Sequence, residues 1–131
     1  MTFGPDLWYP IYAKGRILKR FAIILLLAAC KQENAPPVIG DVAHGKQLVQ
    51  QYGCTSCHDI PNVTGPKGMV GPPLTHVASS QIIAGKLPNT PENLIKYLQN
   101  PQSTDPQNAM PNLGLTADQS RDITAFLYTL K

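Results

Sequence analysis

The sequence predicts a small all-α domain. Three observations carry that prediction: three separate stretches place apolar residues at helical spacing, each starts or stops on a residue suited to a helix end, and no alternation longer than a few residues marks a strand. With 131 residues, 13 of them Pro and 10 Gly, the chain has room for one small domain of a few short helices plus attachments. So small a core needs reinforcement beyond side-chain packing.

Residues 1–29 read as an export signal. Lys14, Arg16, Lys19 and Arg20 precede an apolar run from Phe21 to Ala29. That run falls far short of the roughly 20 residues that span a bilayer. It closes on Leu27-Ala28-Ala29-Cys30, which resembles the lipobox of bacterial lipoproteins, where the Cys is acylated and becomes the mature N-terminus. Acylation at Cys30 would also remove an unpaired, reactive thiol from an oxidising compartment. The expected location is therefore exported and lipid-anchored, in the periplasm or on the outer face of the cytoplasmic membrane. Trp8, Tyr9 and Tyr12 exceed what such a leader needs, and a translation start near Ile17 or Leu18 would account for them. Residues 30–41 lack periodicity and read as a tether, able to reach about 35–40 Å when extended.

Charge follows the same division. The formal +3 resides in residues 1–29, whereas residues 30–131 balance seven Lys and Arg against seven Asp and Glu. The basic character belongs to the leader, so it gives no support to a nucleic-acid partner.

Residues 42–131 form the expected folded domain. A first helix from Val42 has Val42, Leu48, Val49 and Tyr52 as apolar positions and stops at Gly53. Nine Gly and Pro residues between His58 and Pro91 argue for loop, with one helical turn near Val77–Ile83. Thr90 then caps a second helix, with Pro91 at its first position, Glu92 complementing the dipole, and Leu94, Ile95 and Leu98 on one face. Pro101 stops it, and a loop leads to Leu115. Thr116 and Gln119 have capping-box spacing ahead of a last helix, where Ile123, Phe126, Leu127 and Leu130 form one apolar stripe.

The chemistry concentrates at Cys54-Thr55-Ser56-Cys57-His58, the attachment motif of a c-type haem. Each thiol can add to one porphyrin vinyl group, and the adjoining imidazole can ligate iron. The expected cofactor is one covalently attached haem c with its iron, a flat apolar surface against which short helices can bury themselves. Zinc would need two further Cys or His at matching spacing, which Cys30, His44 and His76 do not supply. A thioredoxin-like dithiol would sit in a βαβ pattern, and none surrounds the motif.

The second axial position has four candidates. His44 reads as a solvated surface residue of the first helix, and Met69 as a loop or haem-edge packing Met of the Gly/Pro stretch. His76 follows Gly-Pro-Pro-Leu on the same side as His58. Met110 lies 52 residues beyond His58, past a helix that can carry the chain around the haem rim, and it precedes Pro111. Met110 is the assigned ligand, with His58 opposite.

The order Cys54-x-x-Cys57-His58, Val70-Gly71-Pro72-Pro73-Leu74, Met110-Pro111 and a final amphipathic helix resembles a class I cytochrome c, over about residues 42–130. Residues 71–76, 87–94 and 109–115 are similar, more narrowly, to the cytochrome c domain of subunit II of caa3-type oxidases, without that subunit's copper-binding domain and transmembrane helices. The resemblance implies three to four short helices wrapped around one haem, with the first and last helices crossing where Gly45 allows close approach near Phe126, and Tyr97 nearby. It implies that the Pro72 carbonyl accepts the Nδ1 proton of His58 and that Leu74 packs on the haem. Ser79, Ser80, Gln81 and Lys86 are open alternatives for the propionates. The expected activity is single-electron transfer in a respiratory chain by a carrier, not an enzyme. Expected partners are a terminal oxidase or a quinol-cytochrome c reductase, with the membrane reached through the lipid anchor.

Overall fold

The computed structural model describes residues 40–131, so the expected export signal, Cys30 and most of the tether lie outside the described residues. Helix α1 spans Val42–Gln51, and its N-cap Asp41 accepts hydrogen bonds from the Ala43 and His44 amides at 2.8 and 3.0 Å. These satisfy two of the amides that a helix start leaves without partners. Gly45, Leu48 and Val49 form the buried face. Gly53, with φ 66°, ends the helix in the left-handed conformation that glycine adopts without strain.

Val42, expected on the apolar face, is 44% exposed. Gly40 and Asp41 occupy the neighbouring surface instead: Gly40 lies against the Arg121 carbonyl and Ala125, and the Asp41 amide donates to Asp122 Oδ1 at 2.8 Å. Gly40 and Asp41, expected at the end of the tether, thus pack against the folded domain.

Helix α2 covers Pro91–Gln99, with Thr90 Oγ1 accepting from the Asn93 amide at 3.2 Å. Leu94 and Leu98 are buried one turn apart, and the helix ends at Asn100 before Pro101, as the proline restriction on its predecessor requires. Helix α3, Ala117–Leu127, carries the full capping box: Thr116 Oγ1 accepts from the Gln119 amide, and Gln119 Oε1 accepts from the Thr116 amide. It is the centre of the domain, because both α1 and α2 pack on it. Ile123, Phe126, Leu127 and Leu130 are all buried, Leu130 in the turn that follows the helix. Each such side chain contributes about 1.5–3 kcal/mol by leaving water, so the four together outweigh a cap of about 0.5–2 kcal/mol.

The all-α prediction holds for the described residues, with one small addition. Ile82–Ile83 pairs antiparallel with Leu87–Pro88, in the register Ile82 to Pro88 and Ile83 to Leu87. The three-residue connection Ala84–Lys86 places both Ala84 and Gly85 at positive φ, and the Lys86 amide donates to the Ile83 carbonyl at 3.1 Å, closing a turn whose two central positions favour Asn or Gly. Two-residue strands cannot show alternation, and Ala84 lacks the Asn or Gly that usually marks such a turn, so the hairpin left no sequence signal. The expected helical turn occurs as a short 3-10 turn at Val77–Ser79.

Gly45 marks the contact of α1 with α3. A Cβ there would collide with the Asp122 carbonyl oxygen and lie 2.5 Å from its carbon. The close approach is therefore at Asp122 and Ile123, one helical turn before the expected Phe126. His44 is exposed, as expected of a surface residue, and also reaches across the same seam, with Nδ1 2.7 Å from Asp122 Oδ2. The Asp122 carboxyl accepts from both the Asp41 amide and His44, and these bonds, Asp41 first, hold its pKa below the ordinary Asp value.

Candidate functional site

Cys54 and Cys57 are carried on one tight turn. A 3-10 turn at Cys54–Ser56 starts from left-handed Gly53, and the amides of Cys57 and His58 both donate to the Cys54 carbonyl, at 3.2 and 3.0 Å. Neither cysteine is in a disulfide. Burial pushes the Cys54 thiol above its ordinary pKa, against a partly offsetting backbone hydrogen bond, with Cys57 adding to the rise.

The Gly/Pro loop that follows doubles back alongside this turn. Gly68 N–H donates to the Thr55 carbonyl, Gly71 N–H to that of Cys57, and Leu74 N–H to that of Asp59, all within 2.8–2.9 Å. The pairing advances in the same direction on both segments, so the loop runs parallel to residues 55–59. That register delivers the Pro72 carbonyl 2.7 Å from His58 Nδ1, as the resemblance implied. A carbonyl can only accept, so the proton of the neutral ring sits on Nδ1 and the lone pair of Nε2 is left available to a metal.

Gly71 is shaped to this imidazole. A Cβ at position 71 would collide with His58 Cε1 and stand 2.6 Å from Nδ1 and 2.9 Å from Nε2. Gly71→Ala should therefore push the ring off the Pro72 carbonyl, destabilising the holoprotein by about 1–3 kcal/mol, as overpacking does. Denaturant unfolding of the red protein measures this, and wild-type stability with wild-type cofactor content would contradict it.

Met110 lies in the loop between α2 and α3, half-buried against the main core alongside Cys54, Leu74, Tyr97 and Leu113. Its backbone is held by side chains. The Met110 amide donates to Asn108 Oδ1 at 2.9 Å, and its carbonyl accepts from Gln102 Nε2 at 2.7 Å. Asn108 Nδ2 in turn donates to the Tyr97 hydroxyl at 2.9 Å. Gln102 and Asn108 escaped the sequence reading. Asn108 two residues before Met110 is a recognisable local turn signal, whereas a long-range Gln contact has none.

The remaining candidates separate from this cluster. Met69 is 93% exposed and Val70 80%, on the stretch between the pinned Gly68 and Gly71, which places Met69 in the loop and outside the protein core. The short loop fixes its two ends on the Cys54–His58 segment, and Met69 is left pointing away from the core. His76 is exposed, and its carbonyl receives the Ser79 and Ser80 amides. Of the propionate candidates, Lys86 is paired with Asp105 at 2.7 Å, tying the hairpin to the Met110 loop. That ion pair holds the exposed Asp105 carboxyl below its usual range, through the Lys86 hydrogen bond and a weaker one from the Gln107 amide.

The donor set fits covalent haem c. Two thiols stand on one turn, a histidine has its Nδ1 proton already committed, and the half-buried apolar side chains of Leu74 and Met110 join one core with Cys54.

The cytochrome c family model matches residues 42–131. Cytochrome c2 of Rhodopila globiformis is 38% identical over 109 residues, covering 75% of this chain and 99% of that protein. Two proteins described as cytochrome c oxidase subunit 2 are each 32% identical. The one from Alkalihalophilus pseudofirmus aligns with 66% of this chain and 25% of its own length, and the one from Bacillus sp. strain PS3 with 77% and 30%. The chain thus spans less than a third of the oxidase subunits but almost all of the cytochrome c2. Family match, relatives and an all-α fold with a Cys-x-x-Cys-His turn agree that this chain belongs to the class I cytochromes c, electron-transfer proteins that carry covalently attached haem c.

Proposed function

We propose that this protein is a membrane-tethered monohaem cytochrome c that passes single electrons in a respiratory chain, on the outer side of the cytoplasmic membrane, to or from a terminal oxidase. Cys54 and Cys57 would hold the haem through two thioethers, His58 and Met110 would bind its iron, and Cys30 would carry the lipid. The observation that carries the reading is the His58 Nδ1 bond to the Pro72 carbonyl, which leaves Nε2 as the donor to iron. Bound haem supplies a one-electron Fe(III)/Fe(II) couple. Were His58 and Met110 both to bind the iron, they would leave no open position for oxygen or substrate, which favours electron transfer as the activity.

The resemblance to oxidase subunit 2 proteins supports an oxidase as the partner class. Contact would be small and transient, at the edge where Cys54 and Cys57 attach the ring and where Met69 and Val70 stand exposed. The described residues balance six Lys and Arg against six Asp and Glu, so long-range charge steering is weak and short-range fit matters more.

The test uses the full chain in its native membrane. Wild-type protein should fractionate with membranes, and Cys30→Ala should release a soluble protein with the same haem spectrum. The reduced protein should be oxidised by oxidase-containing membranes. Carbon monoxide binding to the reduced protein at neutral pH, without denaturant, would instead indicate a ligand-binding haem and defeat the carrier reading.

A further inference from the structure

We infer that Asn108 and Gln102 are positioning residues for Met110, gripping the peptide of the ligand and leaving its sulfur free to bind. The inference rests on the reading of Met110 as an axial ligand. Met110 lies outside any helix or strand, yet both of its backbone polar groups have side-chain partners: Asn108 Oδ1 for the amide and Gln102 Nε2 for the carbonyl. Pro111 follows, which restricts the Met110 backbone further and removes the next amide.

The two grips share one anchor. Gln102 sits in the 3-10 turn Pro101–Ser103, which continues directly from α2, and its Nε2 also reaches the Asn108 carbonyl at 3.4 Å. Asn108 is tied by its Nδ2 to Tyr97, on the last turn of α2. Helix α2 packs on α3 through Leu94 and Leu98, so the position of Met110 is referred back to the most buried part of the domain. The Lys86–Asp105 ion pair adds a tie from the hairpin to the same loop, at its exposed edge.

A methionine thioether is a neutral, soft donor on three rotatable bonds, so its hold on iron is vulnerable to any stronger ligand in solution. How often the sulfur leaves depends on how readily its loop opens, and loops without regular structure occupy the low end of local stability. Side-chain bonds to the Met110 peptide close that route without touching the sulfur. Each bond shifts an equilibrium about two- to tenfold, and Asn108 makes two.

The experiment titrates imidazole into the oxidised holoprotein and follows loss of the sulfur-to-iron charge-transfer absorption. Asn108→Ala should lower the half-saturating imidazole concentration about tenfold, and Gln102→Ala severalfold. Asn108→Asp keeps the acceptor for the Met110 amide and should recover most of the wild-type value. Should Asn108→Ala yield no holoprotein, Gln102→Ala and Asn108→Asp carry the test. A merely structural role would lower the midpoint for helix unfolding and leave imidazole half-saturation where it was. That result, in a protein whose wild type shows the absorption, overturns the inference. A wild-type protein lacking the absorption, with Met110→Ala spectrally unchanged, would overturn the ligand reading itself.

Discussion

Met110→Ala is expected to abolish the sulfur-to-iron charge-transfer absorption and to lower the reduction potential by a substantial part of the roughly 0.8 V range that axial ligation spans. A thioether favours Fe(II) over Fe(III), and alanine removes it without offering a replacement donor. The neighbouring loop groups, Asn108 and Gln102, donate to or accept from the backbone of residue 110, and alanine retains that backbone. The loop should therefore remain in place and the loss should fall on the iron, which also opens a site for carbon monoxide. Met69→Ala is the control. Met69 is 93% exposed and packs on nothing in the core, so absorption and potential should stay near wild type. If the Met69 change removes the band, the ligand assignment is wrong. Absorption spectroscopy and a redox titration of both variants decide it.

What could be read from the sequence was what local rules govern. Thr90, Pro91 and the Thr116–Gln119 box define helix starts through contacts within four residues, and all three appear as expected. Cys54, Cys57 and His58 lie within five consecutive residues, so the motif was legible too, although the 3-10 turn that carries it was not. What escaped depends on tertiary approach. Val42 satisfies helical periodicity, but periodicity cannot say that Gly40 and Asp41 take the adjoining surface of α3. His44 is exposed as expected, but its bond to Asp122 was not legible, because that partner is 78 residues away. Gln102 likewise has no local pattern, since its contact with the Met110 carbonyl exists only once the loop has folded back. The Pro72 carbonyl lay between these extremes. It came from family resemblance, and the structure shows its physical basis in the parallel stitching of residues 68–74 to residues 55–59.

Gly45→Val should disrupt the fold before it affects the cofactor directly. The obstacle is main chain: the added Cβ would collide with the Asp122 carbonyl oxygen, lie 2.5 Å from the Asp122 carbon and 3.1 Å from the Ile123 amide nitrogen. A flexible side chain could swing aside, but Asp122 and Ile123 are inside α3 and held by its hydrogen-bond ladder. Relief requires α1 to lift off α3, which would uncover Leu48, Val49 and Ile123, each at most 2% exposed. It would also stretch the His44 and Asp41 bonds to the Asp122 carboxylate. Overpacking alone destabilises by about 1–3 kcal/mol, and here the loss of seam contacts adds to it, so about 3 kcal/mol or more is expected. Against a typical domain stability of about 5–15 kcal/mol, that is a large share. Because α1 leads directly into Cys54, a displaced helix should also reduce haem attachment in the cell. Denaturant unfolding of purified holoprotein, with haem content per chain measured beside it, tests both effects. Wild-type values for both would mean that the two helices do not meet at Gly45.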